Sequence, residues 1–125
     1  MARDVDIKAG MVRIGEIVID VHDLSRCGQF WSQVLGVGIK SENAQYLVLE
    51  TQPGGVGLIF QRVTEKKLNK NRVHLDLRVK DVDEALIHVQ GLGGRMAREV
   101  IDPEERFIVM TDPEGNEFCL VEEAN

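Results

Sequence analysis

The stretch richest in chemistry is Arg72-Val73-His74-Leu75-Asp76-Leu77-Arg78-Val79. It alternates strictly, so it predicts a strand with Val73, Leu75, Leu77 and Val79 on one face and Arg72, His74, Asp76 and Arg78 on the other. A histidine there can serve as a metal ligand or general base. Arg72 or Arg78 can grip a carboxylate or phosphate with two parallel hydrogen bonds. The plainer reading is an Arg–Asp–Arg set that satisfies itself, beside a neutral hydrogen-bonded His74. Either way, such groups are too costly to bury alone, so they must pair or line a wet cavity.

The elements that position this face come in two copies. From Val12 to Val21 a strand pattern puts Ile17, Ile19 and Val21 on one side and Glu16, Val18, Asp20 and His22 on the other. Asp23 reads as a helix N-cap. Leu24, Cys27, Phe30, Trp31, Val34 and Leu35 follow at helical spacing as an apolar stripe, and Gly36 ends the helix. Gly28, inside that helix, should cost about 1 kcal/mol relative to Ala unless packing requires it. Three short strands follow near 37–41, 46–50 and 56–63, the last two separated by Gln52-Pro53-Gly54-Gly55. Residues 64–71 read as a polar, solvated connection rather than a binding patch.

The plan then restarts. The strand carrying His74 leads to Asp81, an N-cap with Glu84 three residues on, a capping-box spacing. Val82, Ala85, Leu86 and Val89 make the stripe, and Gly91 ends the helix. Strands near 95–100, 106–111 and 117–121 complete the copy, with Asp112-Pro113-Glu114-Gly115-Asn116 as a turn. A shift of 58 positions carries Glu16 onto His74, Val21 onto Val79, Asp23 onto Asp81, Gly36 onto Gly94 and Gln61 onto Cys119. Each copy reads strand–helix–strand–strand–strand. Two such units side by side can keep helices outside and share a concave surface.

At 125 residues, 43% apolar and 29% charged, the chain has the make-up of one ordinary globular domain. A net charge of -6 argues against nucleic acid as a partner. No apolar run approaches a membrane span, and the first residues lack the apolar core of a signal peptide. Cys27 and Cys119 do not suggest a disulfide scaffold. The expectation is a reduced, cytoplasmic protein with residues 1–11 as a loose end or edge segment. No P-loop, CxxC, HExxH or Ser/His/Asp pattern is present.

The duplicated βαβββ plan, with Val-x-Asp-Leu opening the first helix, resembles the vicinal oxygen chelate superfamily of glyoxalases, bleomycin-resistance proteins and extradiol dioxygenases. The segments from Asn71 to Leu77 and from Asp112 to Cys119 resemble more specifically its glyoxalase-like domain branch. The resemblance implies an α+β fold: two tandem βαβββ modules forming curved mixed sheets around a cavity, with helices outside. It implies one domain over residues 12–123, with modules at about 12–63 and 72–123 joined by a linker at 64–71.

The family draws metal ligands from the first and last strand of each copy. By position these are Glu16, Gln61, His74 and Cys119, with Glu16 and His74 as the catalytic pair and Arg72, Asp76, Gln61 and Cys119 available to a substrate. Gln61 and Cys119 stand where glyoxalase I-like sites carry carboxylates. The resemblance thus implies a divalent metal (Zn, Mn, Ni or Fe) or none. The function it implies is a metal-assisted lyase or isomerase acting on a small oxygen-rich substrate. The alternative is a non-catalytic binder that sequesters a drug or metabolite, as bleomycin-resistance proteins do. A homodimer is expected, with a small-molecule ligand and neither nucleic acid nor membrane as partner.

Overall fold

A computed structural model describes residue 14 and residues 16–69, 71, 73–101 and 106–123. The expected loose end at 1–11 and the candidate Arg72 lie outside the described residues. The chain runs β1 (Glu16–Val21), α1 (Leu24–Leu35), β2 (Ile39–Glu42), β3 (Tyr46–Leu49), β4 (Gly57–Arg62), β5 (Leu75–Val79), α2 (Val82–Gly91), β6 (Arg95–Ile101), β7 (Arg106–Thr111) and β8 (Glu117–Glu122). Among the described residues these form two open, curved four-stranded sheets of the same plan, β1-β4-β3-β2 and β5-β8-β7-β6. In each, the first and last strands are parallel and the other pairs antiparallel. The fold is the expected α+β pair of βαβββ modules.

Both helices begin as their sequences direct. The carboxylate of Asp23 accepts from Arg26 N–H, and that of Asp81 from Glu84 N–H. This satisfies one of the donors that a helix start leaves orphaned. At its end α1 passes into a left-handed Gly36 (φ 66°), whereas α2 ends at Gly91 and reverses through Gly93 (φ 111°). The mid-helix Gly28 is explained by contact. A Cβ there would collide with Leu47 Cδ1, and Leu47 is fully buried.

Strand alternation sorts the side chains. Ile17, Ile19, Val21, Leu75, Leu77 and Val79 turn toward the helices and join Phe60, Phe118 and Leu120 in one core that spans both modules. Phe30, Trp31 and Phe118 meet edge to face across the module boundary, with ring centroids 4.8–6.1 Å apart. Beside them Asp112, 3% exposed, is held by Trp31 Nε1–H (3.0 Å), Cys27 Sγ–H (3.6 Å), Asn116 Nδ2 (3.2 Å) and the backbone N–H groups of Glu114 and Asn116 (both 2.9 Å). Glu114 in turn accepts from the N–H groups of His22 and Asp23. The turn at 112–116 is therefore the polar clasp that fixes α1 of the first module onto the second.

The two copies differ in register. Ile17 pairs with Leu58, 41 residues on, while its counterpart Leu75 pairs with Phe118, 43 residues on. The shift of 58 holds for the first strands and helices, and 60 holds for the last strands. The longer shift also lays Gln52-Pro53-Gly54-Gly55 over Asp112-Pro113-Glu114-Gly115. In both turns the N–H of the fourth residue donates to the carbonyl of the first at 2.9 Å.

Candidate functional site

On β5 and β8 the side chains that do not face the helices face the hollow of the second sheet. Asp76 and Cys119 are direct ladder partners, and His74 stands just before β5 on the same side. One donor atom each from His74, Asp76 and Cys119 lies within 4.8 Å of the other two. His74 Nε2 is 3.3 Å from Asp76 Oδ1, with both side chains about half exposed (53% and 50%). Cys119, only 7% exposed, packs with Val109 and Val121 on the floor beneath them.

Electrostatics keep this thiol protonated. Burial pushes the Cys119 pKa up, and the charge of Asp76 and a hydrogen bond to it push further the same way, while Arg98 opposes them. Arg98 reaches this row from β6, where it pairs with Val109, itself the partner of Cys119. The sequence offered no signal for Arg98, because the irregularity in β6 between Met96 and Arg98 hides its face. A thiol so placed is a poor nucleophile unless something displaces its proton. A divalent cation would do so, and the donor types could hold one, with all three atoms within 4.8 Å of one another. Two nitrogen or oxygen ligands about 2.0 Å from a tetrahedral zinc stand about 3.3 Å apart, the spacing found between His74 and Asp76. Mixed imidazole, carboxylate and thiolate donors suit Zn better than Mg or Mn.

The other candidates are elsewhere. Glu16 pairs with Gly57 and lines a separate hollow of about 570 Å³ on the first sheet with Lys40, Glu50 and Ile59. Gln61 lies opposite Asp20, at the far end of β1 from Glu16. The register that pairs Asp76 with Cys119 pairs Val18 with Ile59, so Ile59, rather than Gln61, stands at the place matching Cys119. The two-residue offset is what the sequence shift of 58 concealed.

A larger cavity, about 670 Å³, opens between the modules. It is lined by β1 with His22, by Trp31, by Val73, His74 and Leu75, by the 112–116 turn, and by Glu65, Lys66, Lys67, Asn69 and Asn71. Of the 64–71 segment, expected to be a solvated connection and no binding patch, Glu65, Lys66, Lys67, Asn69 and Asn71 thus border the cavity. Lysine-rich composition concealed this, since composition does not show which residues of a connection border a hollow.

A model of the glyoxalase-like domain matches residues 16–121. The chain belongs to that family. This glyoxalase-like chain also matches solved structures of the glyoxalase/bleomycin resistance/dioxygenase group. One is a family enzyme from Burkholderia phytofirmans PsJN (TM-score 0.76, 16% identity, covering 89% of this chain and 98% of that one). Another is the fosfomycin resistance protein FosX from Listeria monocytogenes (TM-score 0.75, 16% identity, 91% and 95%). A third is a glyoxalase-related enzyme from Fulvimarina pelagi (TM-score 0.71, 15% identity, 89% and 88%). At these identities the likeness is one of fold. No curated protein matches the chain. No described helix is long and apolar enough to cross a membrane.

Proposed function

We propose that this glyoxalase-like protein binds a divalent metal on His74, Asp76 and Cys119 and acts as a metal-assisted lyase or isomerase on a small oxygen-rich substrate. The observation that carries this reading is the convergence of three ligand-type atoms within 4.8 Å on the hollow face of the second sheet. A metal held there supplies Lewis acidity, polarising neighbouring substrate oxygens. His74 and Asp76 fix each other's orientation at 3.3 Å. Arg98, exposed along the same row, is placed to orient an anionic substrate group. Glu16 is the carboxylate assigned to proton transfer. A homodimer is part of the proposal, and the role given to Glu16 depends on it, since Glu16 lines a separate hollow of its own chain. The setting proposed is the reduced cytoplasm, where Cys119 stays a free thiol.

A second reading is a non-catalytic binder of a drug or metabolite. It is favoured by Val18 and Ile59, hydrocarbon side chains that occupy in the first module the places of Asp76 and Cys119. Elemental analysis after dialysis against Zn, Mn, Ni and Fe(II) tests the metal. One equivalent retained by the wild type and lost in His74→Ala is expected. Protein that stays empty in all four overturns the metalloenzyme and leaves the binder.

A further inference from the structure

The outer edge of the second hollow carries two cations without a partner among the described residues. In β6 an extra residue, Ala97, lies between Met96, which pairs with Met110, and Arg98, which pairs with Val109. Without it Arg95 and Arg98, three positions apart, would point to opposite faces. With it Arg95 stands opposite Thr111 and Arg98 opposite Val109, on the face of Cys119 and away from the helix-side Ile108 and Met110. Bulges re-aim side chains in this way. Both arginines are exposed, and neither makes a hydrogen bond or ion pair among the described residues. The adjacent acid, Glu99, is turned to the other face, where it accepts from Arg106 Nε at 2.7 Å.

The first module shows that the fold does not require them. Its edge strand β2 has the same irregularity, between Ile39 and Ser41. The row Asp76–Cys119–Val109–Arg98 matches Val18–Ile59–Val48–Ser41 there, and Gly38, bonded to Glu50, stands where the second module has Arg95. The module without the donor set therefore also lacks both arginines. Charge on an edge strand serves to keep sheets from pairing, but β2 does so with Lys40, its own inserted residue, and no arginine on either flank. Between the donor set and the arginines lies an apolar floor, where Cys119, Val109, Val121 and Phe107 form one cluster. Cys119 and Arg98 are two strands apart, roughly 10 Å between Cα atoms, and the Arg98 charge already acts on the thiol.

We propose that Arg95 and Arg98 clamp the oxyanionic end of a ligand whose other end meets His74, Asp76 and Cys119 and whose short apolar body crosses Val109. Guanidinium groups suit that task because their fixed fork donates two parallel hydrogen bonds to one oxyanion. The inference rests on the metal reading and narrows its substrate to a metal-binding oxygen pair joined to a distant anion.

The test measures the affinity of the zinc-loaded chain for three hydroxamates by titration calorimetry. Adipic monohydroxamate, hexanohydroxamate and 6-aminohexanohydroxamate share one metal-binding end and differ in a carboxylate, neutral or ammonium tail. The carboxylate tail should bind about tenfold tighter than the neutral one, and the ammonium tail more weakly than both. Arg95→Gln combined with Arg98→Gln should reduce the carboxylate probe to the level of hexanohydroxamate, whose own affinity should not change. Added salt should shrink the same advantage, because the arginines are exposed. A carboxylate tail no better than the neutral one, or an advantage that survives the double variant, would overturn the clamp. Failure of hexanohydroxamate to bind would instead sink the metal reading. The clamp is then read on the metal-free chain from hexanoate against hexylamine by amide shifts at Arg95 and Arg98, and no preference for hexanoate would overturn it.

Discussion

The two hollow faces share one strand plan and differ in chemistry. In the second module His74, Asp76 and Cys119 form a compact donor set. At the matching places the first module has Glu16, Val18 and Ile59, one donor above two hydrocarbons. The fold therefore supplies the same concave scaffold twice, and substitution at a few outward positions decides which copy can hold an ion. The two turns that precede the last strands show the same divergence. Gln52 reaches back to the carbonyl of Leu35 at the end of α1 within its own module, whereas Asp112 reaches across to Trp31 and Cys27 of α1 from the other module. One turn finishes a helix; the other joins two halves.

The comparison can be broken most severely at that joint. Asp112→Ala removes a buried acceptor from five donors, and charged hydrogen bonds contribute about 1.5–3 kcal/mol each. A loss of at least roughly 3 kcal/mol is expected in urea unfolding, and Gln52→Ala should cost well under half as much. Equal losses would mean that the turns play equivalent roles. The next effect concerns the helices. Gly28→Ala gains helix propensity but drives a methyl into fully buried Leu47, so a net loss of roughly 1–2 kcal/mol is expected from overpacking. Leu86, at the matching place in α2, should accept Ala without overpacking and lose stability only through lost burial. A more stable Gly28→Ala protein would mean that Leu47 has room to move.

Metal binding by the second module should depend on pH. Its thiol is held protonated by burial and by Asp76, so a metal must displace that proton. Apparent zinc affinity should then rise with pH through the neutral range, by up to about tenfold per unit, while the thiol remains below its raised pKa. Cys119→Ser should abolish that slope. The smallest effect is the most constructive. Val18→Asp combined with Ile59→Cys gives the first module the carboxylate and thiol of the second, beside Glu16 where the second has His74, and a weak additional equivalent of zinc should appear. No added equivalent would show that more than these positions separates the copies.

Most of the fold was legible in the sequence because it rests on local signals. The N-cap aspartates at 23 and 81, the apolar stripes and the period-2 strands each specify one element, and their repetition specified the pair. The inward polar face carrying His74 was legible for the same reason. Partners across strands were less so. A two-residue difference in spacing moved Ile59 into the place expected for Gln61, and only ladder hydrogen bonds reveal such an offset. Asp76 was taken as a substrate contact although the ladder sets it against Cys119. Asp112, read only as part of a turn, is the buried acceptor between the modules, because its donors lie 81 and 85 residues away in the chain.

Cobalt titration of the metal-free protein tests the central claim most directly, because cobalt can replace zinc while reporting its ligands by colour. One equivalent should bring a sulfur-to-cobalt charge-transfer band that is lost in Cys119→Ser and weakened in His74→Ala and Asp76→Ala. No band in the wild type, or an undiminished band in Cys119→Ser, would contradict a metal centre on the hollow face of the second sheet.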